Sequence, residues 1–276
     1  MNNPKKEVFN PLFTNPLEAV SGMTVSDLNR YLPAVRQENE IKMTKNQMKE
    51  GLFLAEGRKG LARLPDKTID LIVTKPPESP WQDISDNNPP LTLQEYYQWN
   101  EKWLEQSFRV LKPTGSIYLI CGWRYSGMYH ALLSNSFNVQ SRITWRYNRA
   151  KDQPRLVIWR NVLSDIWFAT KTNEFMFDQK KVSSFKEVEQ NQQLNNLWGD
   201  ILDIRIGAEG QYEGGKPEQV LKRIFTVSSF KLNWVVDPFM GRGSVGIMAK
   251  KTGRRFVGFE TDQDQLLLAM KHIDQA

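Results

Sequence analysis

Two short stretches carry residues whose types and spacing could do chemistry: IVTKPPESPW at 72–81 and DPFMGRGS at 237–244. In the first, Thr74, Lys75, Pro76 and Pro77 form a double-proline turn followed by Glu78. Its lysine sets a condition on any reaction there, because protonated lysine has three donors and no acceptor. In the second, Gly241 and Gly243 allow positive backbone angles and a close approach to a ligand. Glu260 ends the next strand-like run, where a carboxylate can accept hydrogen bonds from ribose hydroxyls. A dinucleotide fingerprint needs three glycines for its pyrophosphate, so a ligand with ribose but no phosphate fits better. A plain tight turn would explain the glycines alone. It does not explain the ordered set of strand, Asp-Pro-Phe, Gly-x-Gly, helix and second strand ending in Glu.

A third stretch is electrostatic. Between 141 and 160 lie Arg142, Arg146, Arg149, Lys151, Arg155 and Arg160 against Asp152, with Trp145, Tyr147 and Trp159 interleaved. Cations neutralise phosphates and flat rings stack on bases, so the stretch reads as a nucleic-acid contact; a strand with a solvated basic face is the alternative.

The elements that must position these residues alternate between periods. GLFLAEG at 51–57 and TIDLIVT at 68–74 read as short buried strands. Residues 91–112 are helical, with Tyr96, Trp99, Trp103, Leu104 and Phe108 on one face; Pro113 and Gly115 end the helix, and the run 117–120 follows as a strand. Two more strands are expected at SRITWRY and SDIWFAT. Residues 173–215 lose periodicity and have the composition of a surface insertion, not of a core element. A helix at KPEQVLKRIFTVSS leads into a closing βαβα pattern: WVVDPF, VGIMAKK, RRFVGFE, DQLLLAMKHI. The fold class expected is α/β, with a doubly wound, mostly parallel sheet covered on both faces.

At 276 residues the chain can bury a sizeable core, and its domains are expected as an extended N-terminal arm over 1–45, carrying one short helix near 26–38, and one domain over 46–276. A single cysteine, Cys121, rules out an internal disulfide, and two histidines give no metal cluster. No apolar run approaches the roughly 20 residues that cross a bilayer, and the N-terminus lacks a secretory apolar core. A cytoplasmic protein with no membrane and no metal is expected. The net charge of +6 makes a polyanionic partner reasonable.

DPFMGRGS closely resembles the S-adenosylmethionine-binding motif of DNA amino-methyltransferases. GGKPEQVLKRIFTVSS is similar to their Lys-Pro motif, FVGFETD to their ribose-binding motif, and IVTKPPES sits where their catalytic loop belongs. The order is the permuted one called the β class, and the resemblance covers roughly 51–273. It implies an S-adenosylmethionine methyltransferase fold and methyl transfer to an exocyclic amino nitrogen of a base flipped out of double-stranded DNA. It implies, position by position, that Asp237 and Phe239 face the cofactor, that the backbone at Gly241 and Gly243 passes its amino-acid end, and that Glu260 holds the ribose. Glu56 would meet the adenine amino group, and Lys216 and Ser244 would frame the methionine moiety. Residues 173–215 would read the target sequence. Arg146, Arg149, Lys151 and Arg155 would contact DNA, and a cognate restriction endonuclease is a partner such enzymes imply. Monomer and homodimer both remain open.

The family's loop is an acceptor, two prolines and an aromatic ring. Here Lys75 replaces the acceptor and Glu78 the ring. Three readings stay open: burial partly deprotonates Lys75 so that it accepts; Lys75 turns to Glu78 or a phosphate while the Pro76 carbonyl orients the amino group and Trp81 or Trp123 stacks; or the loop is inactive. VTKPP keeps the threonine of cytosine-N4 enzymes and lacks the carboxylate common in adenine-N6 enzymes, a slight lean to cytosine. A catalytically degenerate nucleic-acid-binding protein and an RNA methyltransferase are the competing functions. A nucleotide-dependent oxidoreductase is disfavoured by the missing third glycine.

Overall fold

The computed structural model describes residues 20, 22–41, 44–80, 90–146, 163–182, 195–199 and 218–276, with residue 146 described by its backbone only. In chain order the elements are α1 (Val25–Tyr31), β1 (Arg36–Gln37), β2 (Gly51–Leu54), α2 (Gly57–Ala62), β3 (Ile69–Thr74), α3 (Leu93–Val110), β4 (Leu111–Gly122) and α4 (Trp123–Ser134). There follow β5 (Asn138–Arg146), β6 (Leu163–Thr170), α5 (Gln179–Val182), β7 (Leu197–Trp198), α6 (Glu218–Ser228), β8 (Trp234–Asp237), α7 (Ser244–Lys251), β9 (Arg255–Glu260) and α8 (Gln263–Asp274). They build one sheet in the order β1-β2-β9-β8-β3-β4-β6-β5-β7. Every pairing is parallel except those of β6 with β4 and β5. The α/β class and the mostly parallel sheet are as the sequence implies.

Both faces of the sheet are covered, which is why its central strands read as near-continuous apolar runs. Ile72, Leu119, Val236 and Val257 pack against Trp103, Tyr129 and Leu133 of α3 and α4. Leu71, Val73, Ile120 and Val235 face the other way, toward Leu221, Phe225, Val245 and Leu266 of α6, α7 and α8. Helix starts are chemically marked. Thr92 accepts from the Glu95 N–H while the Glu95 carboxylate accepts from the Thr92 N–H, a capping box that starts α3.

Four features depart from the sequence reading. Residues 22–41 carry α1 close to the short helix expected near 26–38, but they do not stand off as an arm: Val20, Met23 and Tyr31 bury themselves against Leu267 and Leu268, and β1 adds an edge strand to β2. Their scattered apolar residues meet α8, a partner remote in sequence. Strand β4 starts at Leu111, straight after α3, and takes up Pro113 and Gly115 in an irregularity where Leu111 faces Ile69 and Ser116 faces Leu71. Helix α4 was not foreseen. The described part of the 173–215 segment also reaches the core: Trp198 is buried at the end of β7, beneath the Arg223 guanidinium, and Phe175 packs on Phe168. Rings scattered among polar residues leave no period to read.

Candidate active site

The parallel strands β2, β9, β8, β3 and β4 all end on one edge of the sheet, where open α/β sheets hold ligands. Those ends bring together residues that lie far apart in the chain: Glu56 just after β2, Glu260 at the end of β9, Asp237 ending β8, and Thr74 ending β3. Thr74 and Asp237 are fully buried, and the Thr74 hydroxyl donates to Asp237 Oδ1 at 2.8 Å. Phe239 N–H donates to the same oxygen at 3.2 Å. The end of the double-proline strand is thus fastened to the glycine turn.

The two glycines do different work. Gly241 (φ +53°) has nothing among the described residues within 4 Å of where a Cβ would sit, which leaves its face to a ligand. Gly243 (φ +83°) starts α7, and a Cβ there would come within 3.0 Å of Ala269 and Ile273 on α8, so this glycine serves helix packing as well as the turn. Gly241 N–H donates to Glu260 Oε2 at 2.7 Å, while Thr261 and Asp262 N–H donate to Oε1 at 2.9 and 3.0 Å. Burial raises the Glu260 pKa even though these three donors pull it down. Ser244 is half-buried in the first turn of α7. Phe239 is half-buried and packs its ring on Trp99 and Trp103 of α3, at centroid distances of 5.4 and 5.2 Å.

Glu56 is the most suggestive residue. Its Oε2 lies 3.5 Å from Arg58 Nε, but its Oε1 is buried with no hydrogen-bond partner among the described residues. A buried acceptor without a donor is costly, and native structures keep one where a ligand supplies the donor. Gly57, next to it, presses so closely on the Asp-Pro-Phe turn that a Cβ would meet the Pro238 carbonyl at 2.5 Å. An adenosyl group is a good fit to such a set: a lone carboxylate oxygen for an amino group, a second carboxylate for ribose, and an open glycine face.

In the double-proline loop, Lys75 Nζ lies 2.6 Å from Glu78 Oε1, the pairing that the second of the three readings describes. The loop is anchored from below. Tyr96 of α3 donates its hydroxyl to the Pro77 carbonyl at 2.5 Å and meets the Tyr129 hydroxyl of α4 at 3.1 Å. Tyr129 in turn donates to Asn100 Oδ1, which also accepts from Trp103 Nε1. Of the two tyrosines and Asn100, sequence reading placed only Tyr96 on a helix face, and it missed Tyr129 and Asn100; an aromatic hydroxyl on a core face was the signal that polar partners wait inside. Strand β4 pairs Leu119 with Thr74 and runs on to Gly122, so Trp123, 59 % exposed, stands beside the loop. Cys121 lies beneath, its thiol pushed up to about 12 chiefly by burial, and is no nucleophile at neutral pH.

The basic stretch divides. Trp145 is 2 % exposed and belongs to the core, so it is not a base-stacking ring. Arg142 is committed to buried Asp165 through two hydrogen bonds of 3.0 and 2.9 Å. Gly122, Ser164 and Trp145 share one row of the sheet, so β5 ends at Arg146, and β6 begins at Leu163, on the edge that carries Thr74 and Asp237. Arg149, Lys151 and Arg155, with Tyr147 and Trp159, fall outside the described residues, as do Lys216, Trp81 and most of 173–215. Among the described residues there is no group of three potential metal ligands and no helix long and apolar enough to cross a membrane.

This fold and edge define an α/β nucleoside-binding protein of the methyltransferase kind. The N6/N4 methyltransferase family model, described as DNA methylase, matches residues 69–271, and the chain belongs to that family. It is 25 % identical to the type II methyltransferase M2.DpnII of Streptococcus pneumoniae over 264 residues, covering 85 % of this chain and 94 % of that one. It is 26 % identical to the type II methyltransferase M.HpaI of Haemophilus parainfluenzae over 238 residues, 82 % of this chain and 75 % of that one. The structure of the PvuII DNA methyltransferase (cytosine-N4-specific) superposes with a TM-score of 0.66 at 18 % identity, covering 82 % of this chain and 86 % of that one.

Proposed function

We propose that this DNA methylase transfers a methyl group from S-adenosylmethionine to an exocyclic amino nitrogen of a base in a specific DNA sequence, with cytosine N4 favoured over adenine N6. The observation that carries the reading is the hydrogen bond between Thr74 and Asp237, because it ties the turn that would meet the base to the turn that would meet the cofactor. When bound, S-adenosylmethionine supplies an electrophilic methyl group on a sulfonium.

The chain's own residues divide the remaining work. Glu56 Oε1 takes the adenine amino donor that it lacks, and Glu260, already oriented by Gly241, takes ribose hydroxyls. Gly241 leaves room for the amino-acid end, which Lys216 and Ser244 frame, while Phe239 joins that wall to α3. The target base must leave the stack to be reached, and Trp123 beside the loop offers it a flat face. Arg146, where β5 ends on the active edge, and Arg149, Lys151 and Arg155 neutralise phosphates, and the 173–215 segment reads sequence. VTKPP and the fold shared with a cytosine-N4 enzyme support cytosine. The type II methyltransferases among its relatives support a cognate endonuclease as partner in a restriction–modification pair.

Incubation with labelled S-adenosylmethionine and mixed-sequence duplex DNA, followed by digestion to nucleosides, tests this. Label in N4-methylcytosine is expected; label in N6-methyladenine moves the target base. No label, alongside measured cofactor binding, replaces the enzyme with a degenerate binding protein, and preferential labelling of RNA in competition replaces the substrate.

A further inference from the structure

We infer that Glu78 is the acceptor for the target amino group, held in place by Lys75, so that the two residues act as one charge-compensated pair. The inference rests on the function proposed above and names a residue for its chemistry. An exocyclic amino nitrogen shares its lone pair with the ring, and it attacks well only when its N–H bonds are drawn toward acceptors. Lys75 cannot do this while protonated. Glu78 can, because an ionised carboxylate is acceptor-only, with about four lone-pair sites, and can serve Lys75 and a further donor together.

Placement agrees with that role. The i,i+3 spacing across Pro76 and Pro77 folds the glutamate back until Oε1 lies 2.6 Å from the tip of the side chain at position 75. The carboxylate thereby meets the tip of the side chain whose backbone lies one residue beyond the Thr74 tie to Asp237. The Tyr96 hydroxyl grips the Pro77 carbonyl, the group just before Glu78, so the return of the chain is fixed from the core. The side chains are 20 % and 33 % exposed, which leaves the pair open to a partner from solvent yet shielded enough for its charges to matter. An unpaired lysine here would repel a sulfonium; beside Glu78 its charge is offset.

In the transfer, the amino nitrogen forms a bond to the methyl carbon as the carbon–sulfur bond breaks, and that electron pair stays on sulfur. The proton that the nitrogen then sheds passes to the Glu78 carboxylate and on to water, which restores the pair.

The test measures single-turnover methyl transfer on a duplex that the unaltered protein methylates, together with calorimetric affinities for S-adenosylmethionine and for that duplex. Glu78→Ala should lower the single-turnover rate at saturating S-adenosylmethionine roughly a hundredfold, as loss of one aligned polar group does in other active sites, with duplex affinity unchanged and S-adenosylmethionine affinity weakened because Lys75 is left unpaired. Glu78→Gln keeps an amide oxygen and should fall between; as the near-isosteric change it carries the comparison if the alanine variant fails to fold. Adding Lys75→Asn to Glu78→Ala supplies an acceptor from the neighbouring position and should restore much of the lost rate. Full activity in both Glu78 variants, or a loss that Lys75→Asn does not relieve, overturns the inference. An unaltered protein that methylates no DNA overturns the proposed function instead, before any variant is made.

Discussion

At the scale of single residues, the site is built from buried polar groups that each answer to one partner. Thr74 and Asp237 meet where solvent is excluded, so each satisfies the other's polar atom. Thr74→Val keeps the shape and removes the donor. It should cost about 2 kcal/mol, read as a lower urea midpoint, and should weaken cofactor binding by loosening the glycine turn. Glu56 is expected to behave in the opposite way. Its Oε1 gains nothing from the fold as it stands, so Glu56→Ala should leave the urea midpoint equal or higher while calorimetry shows weaker S-adenosylmethionine binding. Neither property could be read from residue type alone. The sequence shows an acid after a strand and an acid before a proline. Only coordinates show that one is partnered and the other waits. Gly241 and Gly243 make the same point, since two like letters in one motif serve a ligand face and a helix contact.

At the scale of elements, most of the sheet was legible because its strands are apolar on both faces and its helices carry clear stripes. The central strands β3, β8 and β9 fall within the residues their runs suggest, and α3 within two residues of its expected ends. What escaped notice was held by long-range chemistry. No glycine ends α3; instead Lys171, from the far end of β6, donates to the Phe108 and Leu111 carbonyls at 2.5 and 2.7 Å. Burial lowers the Lys171 pKa, so the ammonium is a group that the carbonyls keep charged at a cost. Lys171→Met retains the apolar stem and should lower stability by about 1–3 kcal/mol, the cost of leaving buried acceptors unmet. Amide exchange should show the loss concentrated in the last turn of α3 and the first residues of β4. Uniform loss across the molecule would argue against a local cap. Helix α4 escaped for another reason: Gly127 falls inside it and weakens the sequence signal, and its large buried side chains, Tyr129, Leu132 and Leu133, cluster late.

At the scale of the whole molecule, the N-terminal segment is the part whose attachment depends on charge. Helix α1 lies against α8 through a small apolar contact of Val20, Met23 and Tyr31 with Leu267 and Leu268. Its polar fastening is Asp27, whose carboxylate accepts from Lys271 at 2.8 Å and from the Thr24 N–H and hydroxyl. The hydrogen bond from Lys271 comes first among the causes that hold the Asp27 carboxyl down at about 2, followed by those from Thr24. A carboxylate depressed by folding favours the folded arrangement wherever it is ionised. Its contribution is therefore complete above the ordinary carboxylate range and drains away as pH falls toward the folded value. Between about pH 4 and pH 2, amides of α1 and β1 should lose exchange protection faster than those of β3, which lies at the centre of the sheet. Asp274 also faces this helix, accepting from Tyr31 and pairing with Arg30, so the fall alone does not single out Asp27. Lys271→Met separates them, because it removes the leading cause of the Asp27 shift and leaves both contacts of Asp274. In that variant the extra loss of α1 protection over this window should shrink. If it persists at full size, Asp274 and not Asp27 is the fastening that acid undoes.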